Sequence, residues 1–448
     1  MSIATRNNSA VSADAPGSYT GPLTVVTTLF FMWGALTSLN DVLIPHFQHV
    51  FSLNLSVSML VQTAFFSSYF VFSIPSARII DWMGYQRAMV VGLVTMGAGA
   101  FLFVPAAKVP SFGLFLTALI VLAAGITLLQ VAANPYVTVL GPAKTASSRL
   151  NLTQAFNSLG TTIAPWIGGF FILTAAGAIA VEDPAQQAAS VIKPYVFLGC
   201  ALVLLAVLIG TFKLPKVESA QHQIGEKVSD SIWRHPNLIF GAVAIFVYVG
   251  GEVAIGSSIA NYLALDNIGH LVSPSAFPDS ALRYQEALRA AAKYISLYWG
   301  GAMVGRFIGS ALLQKVKTRP VLAVCAVMAG LLVTISVLTS GPVAMWSILL
   351  VGFFNSIMFP SIFTLGVAEL GPLTGDGSGV MIMAIVGGAA IPYIVGKIGD
   401  LINARSYGGA IWGQGLHYAL IVATLCYFYI LYFALSGSKP NSERQSRT

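Results

Sequence analysis

Two carboxylates stand in stretches of sequence that otherwise exclude charge. Asp41 follows Asn40 in an apolar run from Phe31 to Pro45, and Glu252 follows Gly250 and Gly251 in another. Keeping a carboxylate charged away from water is expensive, so such a group is a site for reversible proton binding by default. The structural alternative for Asp41 is a carboxylate tied by hydrogen bonds to a neighbouring helix. For Glu252 it is the satisfaction of backbone donors freed near the glycine pair.

Amides form a second set, made of Asn40, Gln130, Asn134, Gln154, Asn157, Asn261 and Asn355. Gln130 and Asn134 are four residues apart and Gln154 and Asn157 three, so each pair shares one helix face. An amide both donates and accepts, which suits a neutral polyhydroxylated ligand better than an ion or a lipid. Phe31, Trp33, Tyr262 and Phe354 lie near these amides and offer ring faces to the apolar side of a sugar. The alternative is interhelical hydrogen bonding, worth about 0.6 kcal/mol per contact. Glu252 and Asn261 are nine apart, on opposite faces of a straight helix, so both face one cavity only if that helix is broken.

A third set is charged and lies on the expected cytoplasmic side. Asp81 and Arg87 flank Gly84 in the segment from Arg78 to Arg87, and Arg149, Arg306 and the basic stretch from Lys315 to Arg319 follow. Such charges are candidates for a gate that closes one face of a bundle. Alternatively, they are solvated loop charges that set topology.

The elements that position these residues are helices in a membrane. The chain has 448 residues, is 56% hydrophobic and only 9% charged, against roughly 25% charged for an average soluble domain. That excludes a soluble enzyme. Apolar runs recur over 22–47, 57–80, 88–107, 111–138, 151–176, 191–213, 237–265, 290–313, 320–340, 343–368, 377–402 and 415–436. Each is long enough to cross a hydrocarbon core of about 30 Å. They are too long for barrel strands and lack period-2 alternation, which leaves an all-α membrane protein with twelve transmembrane helices.

Twelve spans put both termini on one side. With that side cytoplasmic, 16 of the 23 basic residues fall inside and 7 outside, in agreement with the positive-inside rule. The net charge of +7 therefore reads as topology and not as affinity for nucleic acid. Residues 1–21 read as a cytoplasmic tail without a signal-peptide core, 22–213 as a first six-helix half, and 214–236 as a cytoplasmic linker. Residues 237–437 read as a second six-helix half and 438–448 as a second tail.

Internal echoes support two pseudo-symmetric halves. Gln130-x4-Pro135 in the fourth span matches Asn355-x4-Pro360 in the tenth, and Gly160-x4-Pro165-Trp166 in the fifth matches Gly387-x4-Pro392-Tyr393 in the eleventh. Ser76-Ala77 precedes Arg87 by eleven residues, and Ser310-Ala311 precedes Arg319 by nine.

The segment from Ala77 to Arg87 approximates the Gly-x-x-x-Asp-x-x-Gly-x-x-Arg loop of the major facilitator superfamily, with alanine at the first glycine. Phe31-Met32-Trp33-Gly34, Leu39-Asn40-Asp41-Val42-Leu43-Ile44-Pro45, Ala132-Ala133-Asn134-Pro135-Tyr136-Val137 and Arg149 to Ser158 resemble the fucose–galactose–glucose–proton symporter family. Gly251 to Ser257 and Asn261-Tyr262 are similar to the same family, and the resemblance covers essentially the whole chain. It implies a major facilitator fold. In the fucose/proton branch an aspartate in the first span and a glutamate in the fourth share the proton and sugar work. Asp41 matches the first, whereas Gln130 stands at the second and cannot titrate. That run resembles the glucose/galactose branch, and Gln154 and Asn157 fall on positions the family is thought to use for sugar contact.

The reading is a secondary transporter of the bacterial inner membrane that imports a hexose (glucose, galactose or mannose) by alternating access. Asp41 is the proton-coupling site, with Glu252 as a second candidate, and the chain works as a monomer with no cofactor and no metal. Sodium coupling, uncoupled transport, fucose or another monosaccharide, and a non-transporting sugar sensor stay open. A membrane-embedded enzyme finds no support: His46, His49, His222, His235, His270 and His417 are scattered without catalytic spacing. Cys200, Cys325 and Cys426 read as packing residues without disulfide or metal spacing.

Overall fold

The computed structural model describes residues 19–50, 60–109, 111–177, 192–215, 231–406, 414–440 and 442–443. Within these, the side chains of 37–50, 60–62, 164–177, 280, 281 and 292 fall outside the description. Most of the expected tails and linker therefore lie outside the described residues.

The helices follow the twelve expected spans in order. They are α1 (Thr20–Val50), α2 (Leu60–Lys108), α3 (Phe112–Val139), α4 (Ala146–Gly177), α5 (Ile192–Thr211), α6 (Pro236–Leu263) and α7 (Ser280–Leu312). After these come α8 (Thr318–Leu338), α9 (Gly341–Asn355), α10 (Met358–Gly366), α11 (Thr374–Met383), α12 (Gly387–Arg405), α13 (Gly415–Ala419) and α14 (Ile421–Tyr432). Helix α2 carries two spans joined through Gly84, whose φ of 81° lies where a side chain is strained. The turn expected between Asp81 and Arg87 is therefore real. Among the described residues, eight helical stretches are long and apolar enough to cross a membrane.

The outer surface suits lipid and not water. Phe197, Leu204, Leu338 and Phe428 are each more than half exposed, a pattern that would make a soluble protein aggregate. Of the expected packing cysteines, Cys426 is buried and Cys325 partly so, while Cys200 is exposed on α5. The expectation fails for Cys200 because its position on the helix faces outward.

Packing falls into two groups. Helix α1 packs on α4, and α2 packs on α3 and α5; α6 packs on α12 and α14, and α8 packs on α9 and α14. The predicted glycine echo governs both groups. A Cβ at Gly160 in α4 would overlap the backbone oxygen of Phe31 in α1, and one at Gly387 in α12 would overlap that of Phe246 in α6. Each glycine lets two backbones touch at the same place in its half, which is how small residues favour helix association in lipid.

Proline shapes the fourth and tenth spans. Without an N–H, a proline leaves the carbonyl four residues back without its helical donor. Pro135 frees the oxygen of Val131 within α3, and Pro360 frees that of Ser356 at the break between α9 and α10. Both oxygens are taken by side chains at the meeting of the two groups.

Candidate functional site

In the first group the amides converge on α3 and α4. Gln130 is buried and donates through Nε2 to the Tyr69 hydroxyl at 2.7 Å. Gln154 Nε2 reaches Asn134 Oδ1 at 3.5 Å, so the two pairs, each expected on one face of its own helix, meet. Asn134 Nδ2 is buried without a hydrogen-bond partner, a donor whose unpaired burial costs about 1–3 kcal/mol unless a ligand satisfies it. Asn157 donates to the Phe30 oxygen at 2.9 Å and braces α1 against α4. Trp33 is buried with its ring 5.3 Å from that of Phe30, and Phe31 is partly exposed beside it. Asn40 and Asp41 lie on α1, but their side chains are outside the described residues.

The second group repeats this arrangement with different partners. Asn355 Nδ2 donates to the Tyr298 hydroxyl at 2.9 Å, as Gln130 does to Tyr69. Its Oδ1 accepts from Tyr427 at 2.8 Å, and its backbone oxygen accepts from Tyr248 at 3.0 Å. Glu252, one turn from Tyr248, is half-buried with Oε1 enclosed and without a hydrogen-bond partner. Phe354 is partly exposed, with its ring against Phe353.

Helix α6 is continuous, so Glu252 and Asn261 point to opposite faces. Asn261 is exposed and accepts from Tyr284 at 3.4 Å. Tyr262 is fully buried; its hydroxyl meets Ser336 Oγ at 2.7 Å and His417 Nδ1 at 3.1 Å. It therefore braces α6 against its neighbours from behind.

The two groups meet at the end that carries the 140–145, 313–317 and 367–373 connections, largely through hydroxyls. Thr318 donates to Ser147 at 2.9 Å, Ser147 meets Thr364 at 2.6 Å, and Thr364 donates to the Ser361 oxygen at 3.1 Å. Ser148 donates to the Ser310 oxygen at 2.7 Å, and Ser310 returns the bond to the Ser148 oxygen at 3.0 Å. Asn151 donates to the Arg306 oxygen at 2.8 Å. The two proline-freed oxygens complete the seam. Ser378 donates to Val131 at 2.9 Å across it. Arg306 Nε donates to Ser356 at 3.2 Å within its own group, while its guanidinium also bonds Ser158 Oγ and reaches the Gln154 oxygen at 3.5 Å in the other.

The four expected gate charges divide. Arg306 spans the seam, and Asp81 lies against Gly375 in the first turn of α11, where a helix N-terminus favours negative charge. Arg87 is exposed. Arg149 stays within its own group, donating to Val137, Thr138, Pro142 and Thr145 and so capping the end of α3. At the opposite end, Arg283 grips Asp266 at 2.8 Å, and this hydrogen-bonded guanidinium holds the Asp266 carboxyl below its ordinary range.

Tyr69, Tyr248, Tyr298 and Tyr427 were not singled out in the sequence, nor were the seam hydroxyls as donors, Ser310 entering only as part of a repeat. For the tyrosines no local signal exists, since each lies on a different helix from the group it meets. For Ser378 the signal was Pro135, which announces a free carbonyl but not its donor.

The profile of the Major Facilitator Superfamily matches residues 25–392. The chain is 44% identical over 438 residues to a glucose/galactose transporter of Brucella abortus biovar 1 (strain 9-941), covering 98% of this chain and 99% of that one. It is 32% identical over 452 residues to the L-fucose-proton symporter of Escherichia coli (strain K12), covering 97% of each. Its structure superposes on a crystal structure of the transporter FucP in the outward conformation with a TM-score of 0.78 and 30% identity, covering 94% of this chain and 99% of that chain.

Proposed function

The chain belongs to the Major Facilitator Superfamily, and from that premise we propose that it imports a hexose across the bacterial inner membrane together with protons. The observation that carries the sugar assignment is the Gln130–Tyr69 and Gln154–Asn134 cluster. It presents neutral donors and acceptors and leaves the Asn134 donor open. Hydroxyls of a pyranose satisfy such groups without supplying charge. The names of the glucose/galactose relatives support the same substrate class.

In this reading Trp33, Phe31 and Phe354 line the cavity, with Asn40, Gln130, Asn134, Gln154, Asn157 and Asn355 as candidate ligands. Asn261, on the face of α6 opposite Glu252, is set aside as a ligand, and Asn355 acts mainly through its tyrosines. Tyr262 is retained only as support for α6. Asp41 is the proton-coupling carboxyl, with Glu252 as its counterpart in the second half. The protein works as a monomer of two six-helix halves with both termini cytoplasmic. The hydroxyl seam then closes the cytoplasmic face and leaves the cavity open outward.

Counterflow with a panel of monosaccharides in proteoliposomes tests the substrate. Glucose, galactose or mannose is expected to exchange at the highest rate. Exchange of fucose in preference to all three, or of no monosaccharide, contradicts the assignment.

A further inference from the structure

One turn of helix, two hydrogen bonds and the Asn355–Ser356 peptide connect Glu252 to Arg306, which reaches the other half. Tyr248 gives its proton to the Asn355 oxygen, the next peptide oxygen at Ser356 is held by Arg306, and the same guanidinium holds Ser158 and reaches the Gln154 oxygen across the seam. The break between α9 and α10 makes this possible, because it turns both oxygens out of the helical ladder. Arg306 thus holds neutral acceptors in both halves, with Glu252 its electrostatic neighbour.

We infer that Arg306 is a positioning residue that couples the charge of Glu252 to closure of the hydroxyl seam. With Glu252 neutral, the guanidinium stays on Ser158 and the halves are held together. With Glu252 ionised, the carboxylate competes for the same guanidinium, since a charged acceptor forms a stronger hydrogen bond than a hydroxyl or an amide oxygen. Arg306 then turns toward its own half and the seam loses the cation that spans it. The step moves one proton on and off the carboxyl and breaks no covalent bond. The Tyr248 hydroxyl lies within hydrogen-bond reach of the carboxyl as well as of the Asn355 oxygen, so its single proton has two acceptors to choose between.

Among the described residues, the groups around Glu252 are Tyr248 on α6, Tyr298 and Arg306 on α7, the neutral Asn355 on α9 and Tyr427 on α14, with Cys426 beside the adjacent Gly251. Arg306 is the only cation among these groups. The inference deepens the proton-coupled reading above by assigning the second carboxyl a partner and a mechanical output.

Closure can be read without substrate. Spin labels at Lys144→Cys and Lys315→Cys, exposed positions on opposite sides of the seam, report a short-distance population when it is shut. Cys200 and Cys325 are replaced by alanine, and buried Cys426 is kept. The unaltered site is expected to lose this population several-fold as pH rises from about 5 to about 9. Glu252→Gln is expected to hold it high and flat, and Glu252→Asp to restore a pH dependence. Arg306→Lys keeps the charge but lacks the planar fork, and is expected to give a low population at every pH.

A pH dependence in Glu252→Gln equal to that of the unaltered site overturns the inference, as does unaltered closure in Arg306→Lys. Glucose counterflow on the same samples separates the two readings. If no hexose exchanges while closure still follows Glu252, the substrate assignment fails and the coupling stands.

Discussion

Ser378 gives its hydroxyl proton to the backbone oxygen of Val131 at 2.9 Å, and that oxygen is available because the residue four further along is Pro135. A helix-disrupting residue in one half thus supplies the acceptor by which the other half docks. The bond is buried, so Ser378→Ala leaves a carbonyl with neither helix nor side chain to satisfy it, at a cost of about 1–3 kcal/mol. That cost falls on the closed arrangement only. Labels across the seam should show the closed population reduced by one to two orders of magnitude, with helix content by circular dichroism unchanged.

The glycine contacts predict a contrast. Gly160→Ala places a methyl group against the Phe31 backbone, which cannot move aside as a side chain can, whereas a Cβ at Gly396 meets nothing within 4 Å. The expected result is a fall of several degrees in unfolding temperature for Gly160→Ala and for Gly387→Ala. Gly396→Ala should be unchanged or slightly raised, because alanine favours a helix by about 1 kcal/mol over glycine. A thermal shift assay in detergent measures all three.

How much of this was legible beforehand depends on how far apart in sequence the partners lie. The spans and the loop glycine at Gly84 follow from local composition, and the proline and glycine echoes could be matched by eye. What those echoes do is fixed by remote groups: Tyr69 is 61 residues from Gln130, and Tyr427 is 72 from Asn355. The charged gate expected from the sequence differs from the structure in one respect. Arg149 caps the end of α3 within its own half, while the seam is built mostly from hydroxyls. A surface that parts in the proposed transport cycle is better served by weak neutral bonds than by desolvated ion pairs, whose rupture leaves buried charge.

The proposed sugar site predicts a gain of titration. Gln130 already meets the Tyr69 hydroxyl, so Gln130→Glu is isosteric and adds an ionisable group beside the candidate sugar site. Hexose exchange in this variant should acquire an additional pH dependence at the alkaline end, where the new carboxylate becomes charged and is desolvated. An exchange profile superimposable on that of the unaltered protein would place Gln130 away from the sugar.

The outer loop predicts a pH effect of known sign. Arg283 depresses the Asp266 carboxyl in the folded state, so the pair stabilises the fold above the carboxyl's unfolded value, and the gain is lost as pH falls through the lower, folded value. Asp266→Asn should therefore lower the unfolding temperature at neutral pH and make no difference in strong acid. The effect is small, because Asp266 is well exposed.

The central claim is that sugar movement is tied to protons through Asp41. The direct measurement is glucose uptake into proteoliposomes under an imposed proton gradient, with and without sodium, for the unaltered protein and for Asp41→Asn. The account predicts accumulation above the external concentration in the unaltered protein. This should collapse with a protonophore and ignore sodium, and be reduced to mere equilibration in Asp41→Asn. Accumulation at the unaltered level in Asp41→Asn, or accumulation that requires sodium, would contradict it.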